Sequence, residues 1–226
     1  MRSWWSRAGT PGVCHGRGVD ALAAVSPALS RAGFDLAHAF DAAAAAREPG
    51  LAVLAGPERL GILIGNTRAL WPPFTAALRD PALAAERDPL DRYTERAIDA
   101  AFPGARIYYG HRHYDGAFVP LQHLAVATGL GALAPSRLVI HPIYGPWLAL
   151  RAAVVLEGEP PMRQPIPQPC TCDEACATVL ARAQRSTDWR DWLALRDTCS
   201  LRTWRYSDDQ IHYHYAALRG LRRQEV

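Results

Sequence analysis

The chain contains no lysine; all 25 of its basic residues are arginine. That absence excludes Schiff-base lysine chemistry and a Walker-type phosphate loop. With so much alanine it reads as a coding bias, so an arginine alone carries little meaning. No stretch reaches the roughly 18 apolar residues that suggest a bilayer span, so no membrane partner is expected. The opening "MRSWWSRAGTPGVCHGRG" has no apolar run of the kind that drives export. It reads as a disordered arm over residues 1–25, with a single domain over 26–226. Neither charge dominates: the formal net charge is +3, and nucleic-acid binding would need a basic stripe. There is no glycine-rich phosphate fingerprint and no G-x-S-x-G elbow. An enzyme built on this sequence would therefore take its chemistry from a bound cofactor.

What is present is a globular composition, 49% hydrophobic and long enough to bury a core. The five cysteines, without an export signal, read as cytoplasmic thiols instead of a disulfide framework. Helical and extended patterns alternate. "VDALAAVSPALSRAG" and the alanine-rich "LAHAFDAAAAARE" predict helices, and "RLGILIGN" predicts a short buried strand. "DPLDRYTERAIDAAFPG" predicts a helix with Pro89 near its start and Gly104 past its end. "ARIYYGHRHYDG" predicts a strand and turn, and "FVPLQHLAVATGLGAL" a helix ending near Gly129 or Gly131. "SRLVIHPIYGPWLALRAAVVLEG" predicts two strands about a proline and glycine turn. "EPPMRQPIPQPC" must be extended, and the tail from Asp173 is helical with breaks. This order predicts an α+β sheet with flanking helices.

The pentapeptide "WLALR" occurs twice, as Trp147–Arg151 and Trp192–Arg196, but with different periods. Read as a strand, the first copy puts Leu148, Leu150, Ala152, Val154 and Leu156 on one face. Trp147, Ala149, Arg151, Ala153 and Val155 then share the other. Arg151 sits among apolar neighbours, where a charge is costly without an anion. Read as a helix capped by Ser186 or Thr187, the second copy aligns Trp189, Trp192, Leu193 and Arg196 on one face. Two readings stay open for these arginines. Each can pair with an internal carboxylate or snorkel, or together they can line a site for a carboxylate or phosphate.

"CTCDEAC" sets Cys170, Cys172 and Cys176 within seven residues. Such density can bind zinc, copper(I) or an iron–sulfur cluster, or can be a thiol cluster without metal. His111 and His113 in "GHRHYDG", and the pair in "IHYHY", read as turn histidines or as metal pairs. His141 before Pro142 reads as structural.

Several of these stretches together resemble the cobalamin-processing CblC family, the proteins of methylmalonic aciduria and homocystinuria type C. The carrying residues are "IHPIYGPWLALRAAVVLEG" (Ile140–Gly158), "DWRDWLALRD" (Asp188–Asp197), "RYSDDQ" (Arg205–Gln210) and "DPLDRY" (Asp88–Tyr93). More loosely, "GILIGNTRALWPPF" and "LQHLAVATG" also fit. The resemblance implies a nitroreductase-like fold with an antiparallel or mixed sheet and flanking helices. It implies base-off cobalamin binding and removal of the upper axial ligand. In the family, cyanide leaves on electron transfer from a reduced flavin, FMN or FAD, and alkyl groups pass to the thiolate of glutathione. The glutathione-binding arginines match Arg151, Arg196 and Arg219, the last alternatively Arg222. Cobalamin contacts match Trp147, Leu150, Trp192 and Tyr206. Implied partners are cobalamin, glutathione, and a flavin reductase or downstream cobalamin-dependent enzyme, for a cytoplasmic monomer or homodimer. Two alternatives are a flavin-dependent nitroreductase-like oxidoreductase without cobalamin and a non-enzymatic cobalamin chaperone.

The sequence departs from the family at several places, among them a tyrosine-rich stretch reduced here to "LGALAPS" and a "CTCDEAC" cluster that the vertebrate member does not share. Three residues, Leu193 to Leu195, separate Trp192 from Arg196 where the family has two. One helical residue is about 100° of rotation. The family histidine near the nucleotide tail is replaced by Val126, with His123 three residues earlier.

Overall fold

The computed structural model describes residues 27–162, 165, 167–168, 170 and 175–221. At its centre lies an antiparallel sheet of four strands, ordered β1-β2-β8-β3. These are β1 (Leu36–Asp41), β2 (Leu60–Asn66), β8 (Ala149–Leu156) and β3 (Arg106–Tyr109). Every residue of β2 is buried, which is why its sequence is a continuous apolar run and not an alternation. Both faces of the sheet are covered. On one, Phe40, Leu63, Ala153 and Val155 pack against α2 (Ala42–Ala45) and α6 (Leu121–Ala127). On the other, Ile62, Ile64, Ala152 and Val154 meet α3 (Trp71–Ala77), α5 (Pro89–Ala101) and a helix, α1, described over residues 27–31. A short helix, α4 (Pro81–Ala84), precedes α5.

The α5 expectation holds in its details. Pro89 is the first helical residue, Ile98 is fully buried, and Gly104 follows the end with φ +78°. Tyr93 faces inward and donates from its hydroxyl to the carbonyl of Ala32 at 3.0 Å. The "YDGA" turn is an equally direct reading. Asp115 and Gly116 both have positive φ, 52° and 83°, and join β4 (His113–Tyr114) to β5 (Ala117–Phe118), as a two-residue hairpin of the I′ kind requires.

The helix expected at "LAHAFD" is overturned. "LAHAFD" is strand β1, paired along its length with β2, and the helix begins only after Asp41. The Asp41 side chain accepts from Ala44 N at 3.0 Å and caps that short helix. Alanine favours helix only weakly, and pairing with the buried β2 outweighs that preference.

After β8 the chain runs through the proline-rich segment to α7 (Ala175–Gln184), α8 (Trp189–Asp197) and α9 (Asp208–Leu221). A small hairpin of β6 (Ala132–Leu133) and β7 (Val139–Ile140) lies just before β8 in sequence. The tail packs back on the sheet's entry turn: Trp147 is fully buried with Tyr206, Ile211, Trp189 and Leu193 around it. Gly145 in that turn has φ +57°, and a Cβ there would run into the Leu201 backbone. Arg205 ties the ends of two helices, bonding Asp197 and Asp208 at 2.9 Å each.

Candidate functional site

The β2–β8 register slips at Arg151. Ile64 faces Ala152, but the next residue, Gly65, faces Leu150, so Arg151 is the extra residue of a β-bulge. This corrects the simple alternation read from the sequence. Leu148 and Leu150 pack with Ala153 and Val155, while Ala152 and Val154 belong to the opposite core. Gly65 permits the bulge, because a Cβ there would stand 2.6 Å from the Ala149 carbonyl oxygen and 2.8 Å from Leu36.

Arg151 is anchored by the end of β2. Its Nε donates to Asn66 Oδ1 at 2.7 Å, and the fully buried Asn66 donates in turn to the Thr67 carbonyl at 2.9 Å. The buried Nη2 of Arg151 has no hydrogen-bond partner among the described residues. Burial pulls the Arg151 pKa down, and neighbouring Arg196 adds to that, while Tyr206 and Asp91 oppose it.

Arg196 arrives from α8. The Asp188 side chain caps that helix, accepting from Arg190 N at 3.0 Å, so the cap is two residues later than Ser186. The Ser186 hydroxyl instead accepts from Asp188 N. The Arg196 guanidinium lies 5.8 Å from the Trp147 ring centre and 6.0 Å from that of Tyr206. Carboxylates on α8 are engaged by other arginines: Asp191 by Arg182 and Asp197 by Arg205, each at 2.9 Å. The extra residue after Trp192 therefore does not carry Arg196 away from Arg151.

The two guanidinium groups share one cavity of about 520 Å³, walled by Val119, Leu121, Leu138 and Leu148, with Asp91, His111 and Gln122 as its further polar side chains. A smaller hollow of about 230 Å³ shares Ala149 and the same two arginines with it and is lined further by Tyr206, His214 and Tyr215. Buried polar atoms without partners among the described residues gather on these elements. Besides Arg151 Nη2 they are Trp147 Nε1, Trp192 Nε1, Tyr206 Oη, His214 Nε2 and both amide atoms of Gln210, one helical turn before His214. Native interiors leave few such atoms unsatisfied, so their concentration marks a place built for a polar ligand or ordered water. Burial pushes the His214 pKa down to about 3, with the Arg151 and Arg196 charges acting in the same direction. Its imidazole is neutral at physiological pH. Burial raises the Tyr206 hydroxyl, against the lowering effect of the two arginines.

A second set of charges stands on the wall formed by α5 and the β3–β4 turn. His111 Nε2 is 2.9 Å from Glu95 Oε1, and Arg112 lies 2.6 Å from the same oxygen. Burial pushes the Glu95 pKa up, but these hydrogen bonds and charges together hold it below its ordinary value. Asp91 lies 3.6 Å from His111 Nδ1, and burial raises its pKa, opposed by His111 and Arg151.

The structure thus brings Arg151, Arg196, Leu150 and Tyr206 to one locality and separates others from it. Trp147 is fully buried, with the guanidinium groups of Arg196 and Arg205 over its ring, so it supports the site without lining the cavity. Trp192 is half-buried and lies outside both linings. Arg219 falls within α9, but its side chain is outside the described residues, as is all of Arg222. Cys170 packs beside buried Cys199, Cys176 is buried in α7, and Cys172 is outside the described residues. Among the described residues no group of three His, Cys, Asp or Glu side chains gathers to hold a metal. His113 lies against the Phe118 ring in a tilted contact, and His123 is 3.6 Å from Glu48 and does not line the cavity. His141 is structural, as read: its Nδ1 accepts from Ile143 N and Tyr144 N, and burial lowers its pKa to about 4.

Sequence reading missed Asn66, Asp91 and His214. The last had a usable signal: taken as a helix and not a turn, "QIHYH" places Gln210 and His214 on one face.

No family model matches the chain, and no curated protein matches it by sequence. Its fold is similar to that in the crystal structure of a C. elegans B12-trafficking protein, CblC, a homologue of human MMACHC. The TM-score is 0.60 at 18% identity, over 88% of this chain and 92% of that one. The chain therefore has a CblC-like fold.

Proposed function

We propose that this protein binds cobalamin as its substrate and removes the upper axial ligand, passing alkyl groups to glutathione and releasing cyanide on reduction by a flavin. The observation that supports it most is the meeting of Arg151 and Arg196. They come from a bulged strand and a distant helix into one cavity of about 520 Å³. Glutathione carries two carboxylates, and guanidinium binds such groups through paired hydrogen bonds. The unpartnered Nη2 of Arg151 fits that demand. The CblC-like fold and the order of the resembling blocks support cobalamin as the other substrate. Exposed Phe118 and Leu133 sit on the two hairpins that carry the apolar cavity residues Val119 and Val139, an edge suited to a large, partly apolar ligand.

Each residue then has a task. Arg151 and Arg196 hold the thiol compound, and their charge favours its thiolate over the thiol. Trp147 and Asn66 keep the guanidinium groups in place, limiting the freedom lost on binding. His214, neutral beside them, adds no competing charge. In dealkylation the sulfur forms a bond to the departing carbon, and the electron pair of the cobalt–carbon bond stays with cobalt.

Recording absorption spectra as hydroxo-, cyano- and methylcobalamin are added to purified protein tests the reading. The expected outcome is a base-off shift with all three. No shift, with yellow flavin co-purifying, would instead favour a nitroreductase-type oxidoreductase without cobalamin.

A further inference from the structure

Asp91 is out of keeping with a cavity built for anions. It lies in the first turn of α5, with its side chain 33% exposed, on the wall of the cavity that Arg151 and Arg196 line. It feels the charge of Arg151, yet among the described residues Arg151 donates to Asn66 and not to Asp91. The imidazole of His111 stands beside it with Nδ1 3.6 Å away, beyond hydrogen-bond range. The short bond of His111 goes to Glu95, which Arg112 also holds. Asp91 thus keeps acceptor capacity toward the cavity, and a half-buried carboxylate in that condition is unfavourable unless a donor meets it.

We infer that Asp91 accepts an ammonium group from the same ligand whose carboxylates Arg151 and Arg196 hold, so that the cavity selects an amino-acid-like zwitterion over a purely anionic thiol. This rests on the reading of the arginine cavity as the glutathione site. In glutathione the group concerned is the α-ammonium of the γ-glutamyl residue. Opposed charges on facing walls also fix orientation. A ligand turned end for end would put its carboxylate on Asp91, and that repulsion rejects the wrong pose.

Calorimetric titration of the full chain tests this with two thiols of nearly the same shape. One is glutathione and the other is its deaminated form, glutaryl-cysteinyl-glycine. The expected result is that the deaminated thiol binds about tenfold more weakly or worse, as fits a charge-assisted hydrogen bond. Asp91→Asn should bring glutathione down to the level of the deaminated thiol while changing the latter by less than about twofold. Asp91→Glu should keep part of the preference. Equal binding of both thiols by the unaltered protein overturns the inference while leaving the arginine site standing. The same holds if Asp91→Asn weakens both thiols alike. Failure of both thiols to bind overturns this inference together with the reading it rests on. The comparison on unaltered protein decides the matter even if a variant does not fold.

Discussion

An imidazole with two guanidinium neighbours, and with its Nε2 unpartnered among the described residues, resists protonation. His214 has a folded pKa of about 3 against an ordinary 6.5, with burial the larger cause and the two arginines the lesser. As pH falls below 6.5 the unfolded chain takes up a proton that the folded chain refuses, so the unfolded state binds more protons. Stability then rises with pH in that window and is lost as pH drops from about 6.5 toward about 3. Replacing His214 with Gln should make the free energy of unfolding depend less steeply on pH between those limits, as read from urea melts at several pH values. An unchanged slope would mean that the imidazole is not held neutral among the arginines. Of the site residues, Arg151 was legible in the sequence as a charge in an apolar strand. Which way it points was not, because a bulge leaves no mark on alternation. Asp91 gave no sign of its surroundings, since it meets the cavity only through tertiary packing, and His214 showed no more than the helix face it shares with Gln210.

At the scale of elements, the β2–β8 bulge is the device that aims Arg151, and it depends on Gly65. An added methyl group would meet the Ala149 carbonyl oxygen at 2.6 Å and Leu36 at 2.8 Å, in the centre of the sheet. Gly65→Ala is expected to destabilise the fold by about 1–3 kcal/mol through overpacking, read as a lower urea midpoint, and to weaken glutathione binding in the protein that remains folded. Full stability with unaltered binding would show that the bulge does not position the arginine. Elements whose signal is local were legible: α5 with its proline start and glycine exit, the turn at Asp115–Gly116, and β2 as a buried run. β1 was not, because its alanines fit a helix as readily and only pairing with β2 decides the matter. The α8 cap, expected at Ser186 or Thr187, was misplaced by one or two residues for a similar reason. Ser186, Thr187 and Asp188 are all good caps, and packing selects Asp188.

Over the whole molecule, the blocks that resemble the CblC family converge. Ile140–Gly158 supplies β8 and its entry turn, Asp188–Asp197 is α8, and Arg205–Gln210 leads into α9. Far apart in sequence, they meet around Trp147, Tyr206 and the two arginines. The tail is locked there by Arg205, which joins Asp197 to Asp208, and by the close approach of Gly145 to Leu201. The most direct test of the account is the loss of methyl from methylcobalamin, followed spectroscopically with and without glutathione, on the unaltered protein and on Arg151→Ala. The account predicts loss only when glutathione is present, and slowed about tenfold or more in Arg151→Ala, while that variant keeps its cobalamin-induced spectral shift. Methyl loss without any thiol would contradict it, as would equal loss of cobalamin binding and dealkylation in a folded Arg151→Ala protein.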